Sequence, residues 1–165
     1  MAKGNGVSLA KTHSTGPRPF AVPRDFRFPV VAIVDVAGSD HGRLMQHSAH
    51  FQAFAPVIRW ITPDLQLPVT LASLDEVAAV AIPIAVKGAT LRDRFTQRLM
   101  AAIKDLTARG IPVFVAAGNH RPNLLAEAGT VVPDTGFPGS ASTSESCVRA
   151  AVRWAYQSIV ESKLS

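Results

Sequence analysis

The chain has 165 residues, of which 47% are hydrophobic and 18% charged, a balance that predicts one globular domain rather than a disordered protein. The formal net charge of +5 would suit a nucleic-acid partner. However, the basic residues are scattered without a dense stripe, so we predict an ordinary basic surface and no nucleic-acid binding. The single cysteine, Cys147, excludes an intramolecular disulfide framework.

The first 27 residues differ in composition from the rest. Residues 1–16 are rich in Gly, Ser, Lys and Thr, and three prolines follow between Pro17 and Pro23. We interpret residues 1–27 as a flexible tail with a Pro-rich arm and residues 28–165 as a single domain. Because the tail has no continuous apolar core, we predict neither a secretory signal nor a membrane span, and we expect a cytoplasmic location.

The first half of the domain alternates between two kinds of pattern. Residues 28–35 form a β-branched apolar run that ends at a carboxylate, which predicts a buried strand. Helical spacing follows from about His41 to Phe54, with Leu44, Met45, Phe51 and Phe54 as the expected inner face, and Pro56 ends it. Residues 57–61 predict a short second strand.

The second half continues the alternation. Residues 77–86 predict a strand that Pro83 interrupts or places at an edge. An amphipathic helix is predicted from Leu91 to Leu106, with Gly110 after its end, and a buried strand then leads to Asn119. Beyond an irregular stretch that contains a weak helical turn or strand between residues 124 and 132, a last helix is predicted over about residues 142–162. The expected fold is therefore α/β, with three layers and a mainly parallel sheet flanked by helices.

Four polar residues fall where these elements begin or end: Asp35 and Asn119 after strands, and His41 and Ser144 at helix starts. In a parallel sheet with right-handed crossovers, strand C-termini and helix N-termini lie at the same edge, so we expect these side chains to converge. A serine nucleophile needs an imidazole base and a carboxylate that orients it, and an oxyanion needs preplaced donors. The four residues could supply each of these.

The same segments resemble the subtilisin-like serine proteases, in the same order along the chain. Residues 31–35 resemble the Asp-bearing strand of that family, His41-Gly42 resembles the start of its His helix, and residues 110–119 resemble its strand ending in Ala-Ala-Gly-Asn. Residues 143–146 resemble the motif that opens the nucleophile helix, although Ser142 and Val148 stand where the family has Gly and Pro.

This resemblance, which spans about residues 30–160, implies a compact subtilisin-like endopeptidase with a peptide or protein substrate and no cofactor or metal. Asp35, His41 and Ser144 would be the catalytic triad, with Asn119 as the oxyanion donor. The substrate would lie extended beside residues 84–88. The short spacings imply that sheet strands of the family are missing, so a second copy or a partner chain is a possible completion of the sheet.

Other assignments stay open at several of these positions. Ser140, Ser142 and Ser146 compete with Ser144 as ordinary capping or nucleophilic serines. His47 and His50 form a His-x-x-His pair that a zinc ion could use, although helical ligands are usually spaced i, i+4. Phosphate-loop chemistry is excluded because the chain has no Gly-x-x-x-x-Gly-Lys-Ser/Thr motif.

Two rival functions follow from the same sequence. The first is a catalytically inactive subtilisin-like scaffold that binds a peptide or a partner subunit, which the shortened sheet and the altered serine motif favour. The second is an unrelated flavodoxin-like binding domain, for which His41 and Ser144 would lie at opposite edges of the sheet.

Overall fold

The computed structural model describes residues 27–53, 55–85, 90, 92–118, 123–132 and 143–162. Within these residues, five strands form one sheet, β1 (Val30–Val34), β2 (Val57–Ile61), β3 (Ala79–Ile82), β4 (Val113–Ala116) and β5 (Thr130–Val132), in the order β2-β1-β3-β4-β5. All four strand pairings are parallel. The helices are α1 (Asp40–Gln52), α2 (Leu67–Ala72), α3 (Arg94–Ala108) and α4 (Thr143–Ser162), and a 3-10 turn spans Leu124–Glu127.

The helices cover both faces of the sheet. On one face, α2 and α3 pack their apolar side chains against Val34, Val80 and Val115. On the other face, α1 and α4 pack against Ile33, Ala81 and neighbouring residues. Strand residues of alternating parity therefore enter two separate cores, as the period of a β-strand requires. The fold is a three-layer α/β structure with a parallel sheet, as the sequence predicts.

The chain reverses its direction of winding between β1 and β3. From β1 it moves outward to β2 through α1, and it then crosses back to β3 through α2, on the opposite face. This strand order is the one found in flavodoxin-like doubly wound sheets, whose ligands bind at the carboxyl ends of the strands where the order reverses. We therefore expect a functional site at the carboxyl ends of β1 and β3.

Two details differ from the sequence-based expectation. Helix α2 lies between residues 62 and 76, for which the sequence predicts no element; Pro68 occupies its first turn, where a missing N–H costs nothing, and Leu67 and Leu71 are fully buried. The predicted inner face of α1 is also wrong in part. Met45 faces the sheet, but Leu44 and Phe51 are exposed, and Phe54 lies outside the described residues.

The actual inner face of α1 consists of Gly42, Met45, Ser48 and Ala49. Three of these four residues are small, so the helix can approach the sheet closely. The larger Phe51 instead lies under the guanidinium of Arg149 on α4, 4.9 Å from ring centroid to Cζ.

Candidate functional site

Asp35 follows β1 directly and is buried, with 5% of its surface exposed. Its backbone N–H donates to the Ile61 carbonyl at 2.9 Å, which extends the pairing of β1 with β2 by one residue. Its Oδ1 accepts from the Val36 N–H at 2.7 Å. The carboxylate is thus held at the carboxyl edge of the sheet with its second oxygen, Oδ2, available to another group.

A tight turn carries the chain from Asp35 to α1. The Ser39 hydroxyl donates to the Val36 carbonyl at 2.8 Å and accepts from the Gly42 N–H at 2.9 Å, so Ser39 both closes the turn and caps the helix. Gly38 adopts a φ of +81°, which a residue without a side chain takes at little cost. These bonds fix the direction in which the first turn of α1 leaves the sheet.

The turn brings His41 back onto Asp35. His41 Nδ1 lies 2.5 Å from Asp35 Oδ2, and the His41 side chain is 42% exposed while that of Asp35 is 6% exposed. A carboxylate can only accept a hydrogen bond, so His41 Nδ1 must be the donor. We therefore assign the ring proton of neutral His41 to Nδ1, which leaves Nε2 as the acceptor. We call these two residues the Asp35–His41 pair.

Helix α4 approaches the same edge because its inner face is small. Cys147, Ala151 and Ala155 recur at four-residue spacing, are fully buried, and lie against a face that includes Ala79 and Ala81. The Cys147 thiol donates to the Phe114 carbonyl at 3.1 Å. The helix therefore lies close over β3 and β4, with its N-terminus at their carboxyl ends.

Ser144 lies in the first turn of α4, and its hydroxyl donates to the Pro83 carbonyl at 2.6 Å. Pro83 is the residue after β3. In the pairing of β1 with β3, Ile33 stands opposite Ala81, so two residues further along Asp35 is level with Pro83. Ser144 and the Asp35–His41 pair therefore lie on either side of the β1–β3 junction, at the same edge of the sheet. In this conformation the serine hydroxyl is directed at a backbone carbonyl and not at the His41 ring.

The structure describes three of the alternative site residues that the sequence raises. His47 and His50 are exposed on α1, and His50 Nδ1 contacts the Gln46 carbonyl at 2.8 Å. Ser146 is half-buried two residues beyond Ser144. Asn119, Ser140 and Ser142 lie outside the described residues, so the oxyanion role of Asn119 stays a prediction.

Asn123 is a residue that sequence reasoning missed. It is buried, and its Nδ2 donates to the Ala116 carbonyl at 3.0 Å and the Ile84 carbonyl at 3.4 Å. Its Oδ1 accepts from the Leu125 N–H at 3.2 Å. One amide thus joins the segment that follows β3 to the last residue of β4. The sequence contains one signal for this residue: an Asn directly before two leucines is typical of a helix cap.

The charged residue that follows Ser144 already has an ion-pair partner on the same helix. Glu145, the residue after Ser144, accepts from Arg149 one helical turn away at 3.2 Å. Burial raises the pKa of the Cys147 thiol to about 12, so this thiol is protonated at neutral pH and is unsuited to nucleophilic attack.

Within the described part of the chain, no group of three or more His, Cys, Asp or Glu side chains is arranged to hold a metal ion. Among the described helices, none is both long enough and apolar enough to cross a membrane. Comparisons with known protein families, with curated proteins and with solved structures find no match to this chain.

Proposed function

We propose that the chain is a serine endopeptidase in which Ser144 attacks the scissile carbonyl, His41 accepts its proton and Asp35 orients His41. The observation that carries this proposal is the contact of His41 Nδ1 with the buried carboxylate of Asp35 at 2.5 Å. That contact leaves Nε2 as the basic nitrogen, on a ring that is partly open to solvent. The resemblance to subtilisin-like proteases supports the same three roles.

The proposed reaction needs the Ser144 side chain to leave its present hydrogen bond. The Ser144 hydroxyl must turn from the Pro83 carbonyl to His41 Nε2, which a rotation about its Cα–Cβ bond can start. As Oγ bonds to the substrate carbonyl carbon, its proton passes to Nε2, and the resulting imidazolium is stabilised by Asp35. His41 then gives the proton to the leaving amine, and water repeats the sequence to release the acyl group and restore the Ser144 hydroxyl.

The oxyanion would be met by donors at the start of α4. The first N–H groups of a helix have no partner within the helix, and the Ser144 N–H belongs to this set. Asn119 would add a side-chain donor, a role that depends on the Ala-Ala-Gly-Asn resemblance alone. The substrate chain would lie extended beside residues 84–88 after β3, of which Ile84 and Ala85 are described. A cytoplasmic location is also part of this proposal.

Covalent labelling with a fluorophosphonate tests the proposal directly. The wild-type protein should be labelled at neutral pH, Ser144→Ala should not be labelled, and Ser146→Ala, two residues along the same helix, should be labelled like the wild type. Asp35→Asn should slow labelling by about 10³-fold or more, because the imidazole then loses its orienting carboxylate. Label on any serine other than Ser144 would contradict the assignment of the nucleophile.

A second candidate function is a catalytically inactive scaffold that binds an extended peptide. It is favoured by the 2.6 Å hydrogen bond that directs the Ser144 hydroxyl to the Pro83 carbonyl rather than to His41. On this alternative, folded wild-type protein would show no labelling and no peptide hydrolysis, and Ser144→Ala would keep the same peptide affinity as the wild type. That pair of results would replace the first proposal with the second.

A further inference from the structure

The Pro83 carbonyl is the next acceptor in the ladder that joins β1 to β3. Asp35, two residues beyond the last pair of these strands, is level with Pro83. The Val80 N–H donates to the Pro112 carbonyl at 3.0 Å, so the even-numbered residues of β3 direct their backbone groups to β4. Successive residues of a central strand bond alternately to its two neighbours. A regular continuation of β3 therefore directs the Pro83 carbonyl to the β1 side.

The regular partner of this carbonyl is bonded elsewhere. The Asp35 N–H donates to the Ile61 carbonyl on β2 at 2.9 Å, so the next N–H, that of Val36, would face β3 if β1 continued. Instead β1 ends, and the Val36 N–H donates to Asp35 Oδ1 at 2.7 Å. The Ser144 hydroxyl donates to the Pro83 carbonyl in its place, at 2.6 Å. A side chain thus occupies the position of a backbone donor.

The position in line with β1, beyond its end, lies at the surface. Val36 is 47% exposed where the chain turns away, and Ala85, two residues after Pro83, is also exposed. An extended chain placed there would continue the sheet and present an N–H to the Pro83 carbonyl. That N–H and the Ser144 hydroxyl would then compete for the same oxygen.

We propose that an extended peptide releases Ser144 by donating a backbone N–H to the Pro83 carbonyl. This inference rests on the proposed function and names the class of substrate that the site selects: an extended chain with a free backbone N–H, and not a small ester without one. In the free protein the carbonyl holds the hydroxyl. Once the peptide N–H takes that acceptor, the hydroxyl is free to rotate to His41 Nε2. By linkage, the hydroxyl weakens peptide binding by the same factor as the peptide weakens the Ser144–Pro83 bond.

The chain offers a site-specific probe of this carbonyl. Pro83 is the only proline in the sequence that is followed by isoleucine. Labelling proline with ¹³C at the carbonyl and isoleucine with ¹⁵N therefore gives one HNCO cross-peak, from the Ile84 amide, which reports the Pro83 carbonyl shift. Ser144→Ala should move this shift upfield, because it removes a donor, whereas the control Ser146→Ala should leave it unchanged. An unmoved shift in Ser144→Ala would overturn the proposal.

The same cross-peak tests whether a peptide takes the place of the hydroxyl. The probe is acetyl-tetra-alanine amide, and its control is the same peptide with every amide N-methylated, which has no N–H to donate. In Ser144→Ala, the unmethylated peptide should return the Pro83 carbonyl shift towards its wild-type value, and the methylated peptide should not. The unmethylated peptide should also bind Ser144→Ala about tenfold more tightly than the wild type, the factor that one hydrogen bond contributes.

Equal affinities of the two proteins for the unmethylated peptide, or a carbonyl shift that it does not restore, would overturn the exchange of donors. Fluorophosphonate labelling separates this result from the proposed function. Labelling of Ser144 together with equal peptide affinities would retain the peptidase and reject the exchange. A tenfold difference in affinity without labelling would confirm the exchange and reject the peptidase.

Discussion

Gly42 shows how a single α-carbon fixes the geometry of the candidate site. It follows His41 in the first turn of α1 and is buried against the turn that comes from Asp35. A Cβ built on it would lie 2.2 Å from the Val36 carbonyl oxygen, which is backbone and cannot move aside without moving the turn. The Asp35–His41 pair therefore depends on a residue that carries no functional group.

We predict that Gly42→Ala destabilises the protein by about 3 kcal/mol, because the added methyl displaces the turn. The sign of this change in stability is informative, since alanine in place of glycine inside a helix ordinarily stabilises the helix by about 1 kcal/mol. Urea unfolding measures the difference.

Gly38→Ala is the control for this variant. Gly38 has a φ of +81° and no atom within 4 Å of its built Cβ, so the alanine should cost only the backbone strain of about 1 kcal/mol. A Gly42→Ala protein as stable as the wild type would show that the helix start can shift.

Ser48 lies on the inner face of α1 with its hydroxyl buried and without a hydrogen-bond partner. We predict that Ser48→Ala raises the free energy of unfolding by about 1 kcal/mol, because it removes a desolvated polar group and adds helix propensity. Thermal and urea unfolding check this. In the control Ser158→Ala, the lost hydroxyl donates to the Trp154 carbonyl at 2.9 Å, so a smaller gain or a loss is expected. A destabilised Ser48→Ala protein would indicate a partner for this hydroxyl.

At the scale of elements, the segment after β3 is tied to the end of β4 by the Asn123 side chain rather than by the sheet ladder. Parallel strands end without a connecting turn, so the backbone groups beyond their last pairs need other partners. The Asn123 amide donates to the Ile84 carbonyl after β3 and to the carbonyl of Ala116, the last residue of β4, and it accepts from the 3-10 turn. This places it beside Ile84 and close to Pro83, whose carbonyl receives Ser144.

We predict that Asn123→Ala lowers the free energy of unfolding by about 2 kcal/mol, because it leaves buried carbonyls without their donor. Chemical denaturation measures the loss. Ser73→Ala removes an exposed hydroxyl that donates to Thr70, and it should change stability by less than about 0.5 kcal/mol. Equal effects of the two variants would mean that solvent replaces the Asn123 amide.

At the scale of the whole molecule, folding changes the proton affinity of one thiol. Cys147 is buried between α4 and the sheet, and burial raises its pKa from 9.0 to about 12. Above pH 9 the unfolded chain releases this proton while the folded chain keeps it, so stability falls as the pH rises. The slope for this single group is about 1.4 kcal/mol per pH unit until the folded thiol also ionises.

We therefore predict that the wild type loses stability between about pH 9 and pH 11 more steeply than Cys147→Ala does. Denaturant unfolding at a series of pH values gives the two slopes, and their difference isolates the thiol. Burial also raises the pKa of Tyr156, but that residue is present in both proteins. Parallel slopes would show that the thiol ionises as readily in the folded protein as in the unfolded one.

The sequence predicts the parts of the fold that local pattern determines. The apolar runs of β1 and β2 and the periodicity of α3 and α4 identify those elements to within a few residues, and the pairing of Asp35 with His41 follows from a strand end and a helix start. The orientation of α1 could not be predicted in this way. It depends on how near the helix lies to the sheet, which favours Gly42 and Ala49 over the larger Leu44 and Phe51.

The partner of Ser144 lies beyond prediction from sequence for a different reason. The group that receives its hydroxyl is the carbonyl of Pro83, and every residue has a carbonyl, so no residue type marks the position. Helix α2 was missed because its cap, Gln66, makes no side-chain bond and its stability comes from burying Leu67 and Leu71. Both features are products of the assembled sheet.

The Asp35–His41 pair is made by one contiguous stretch of chain, whereas Ser144 comes from the last helix. During synthesis the strand, turn and helix that hold the pair leave the ribosome long before α4, whose residues cover Val31, Ile33 and their neighbours. On the proposed function, the growing chain therefore carries a base without a nucleophile until that face of the sheet closes. The reactive site would then appear only in the completed domain, which keeps it from acting on the unfolded segments of its own nascent chain.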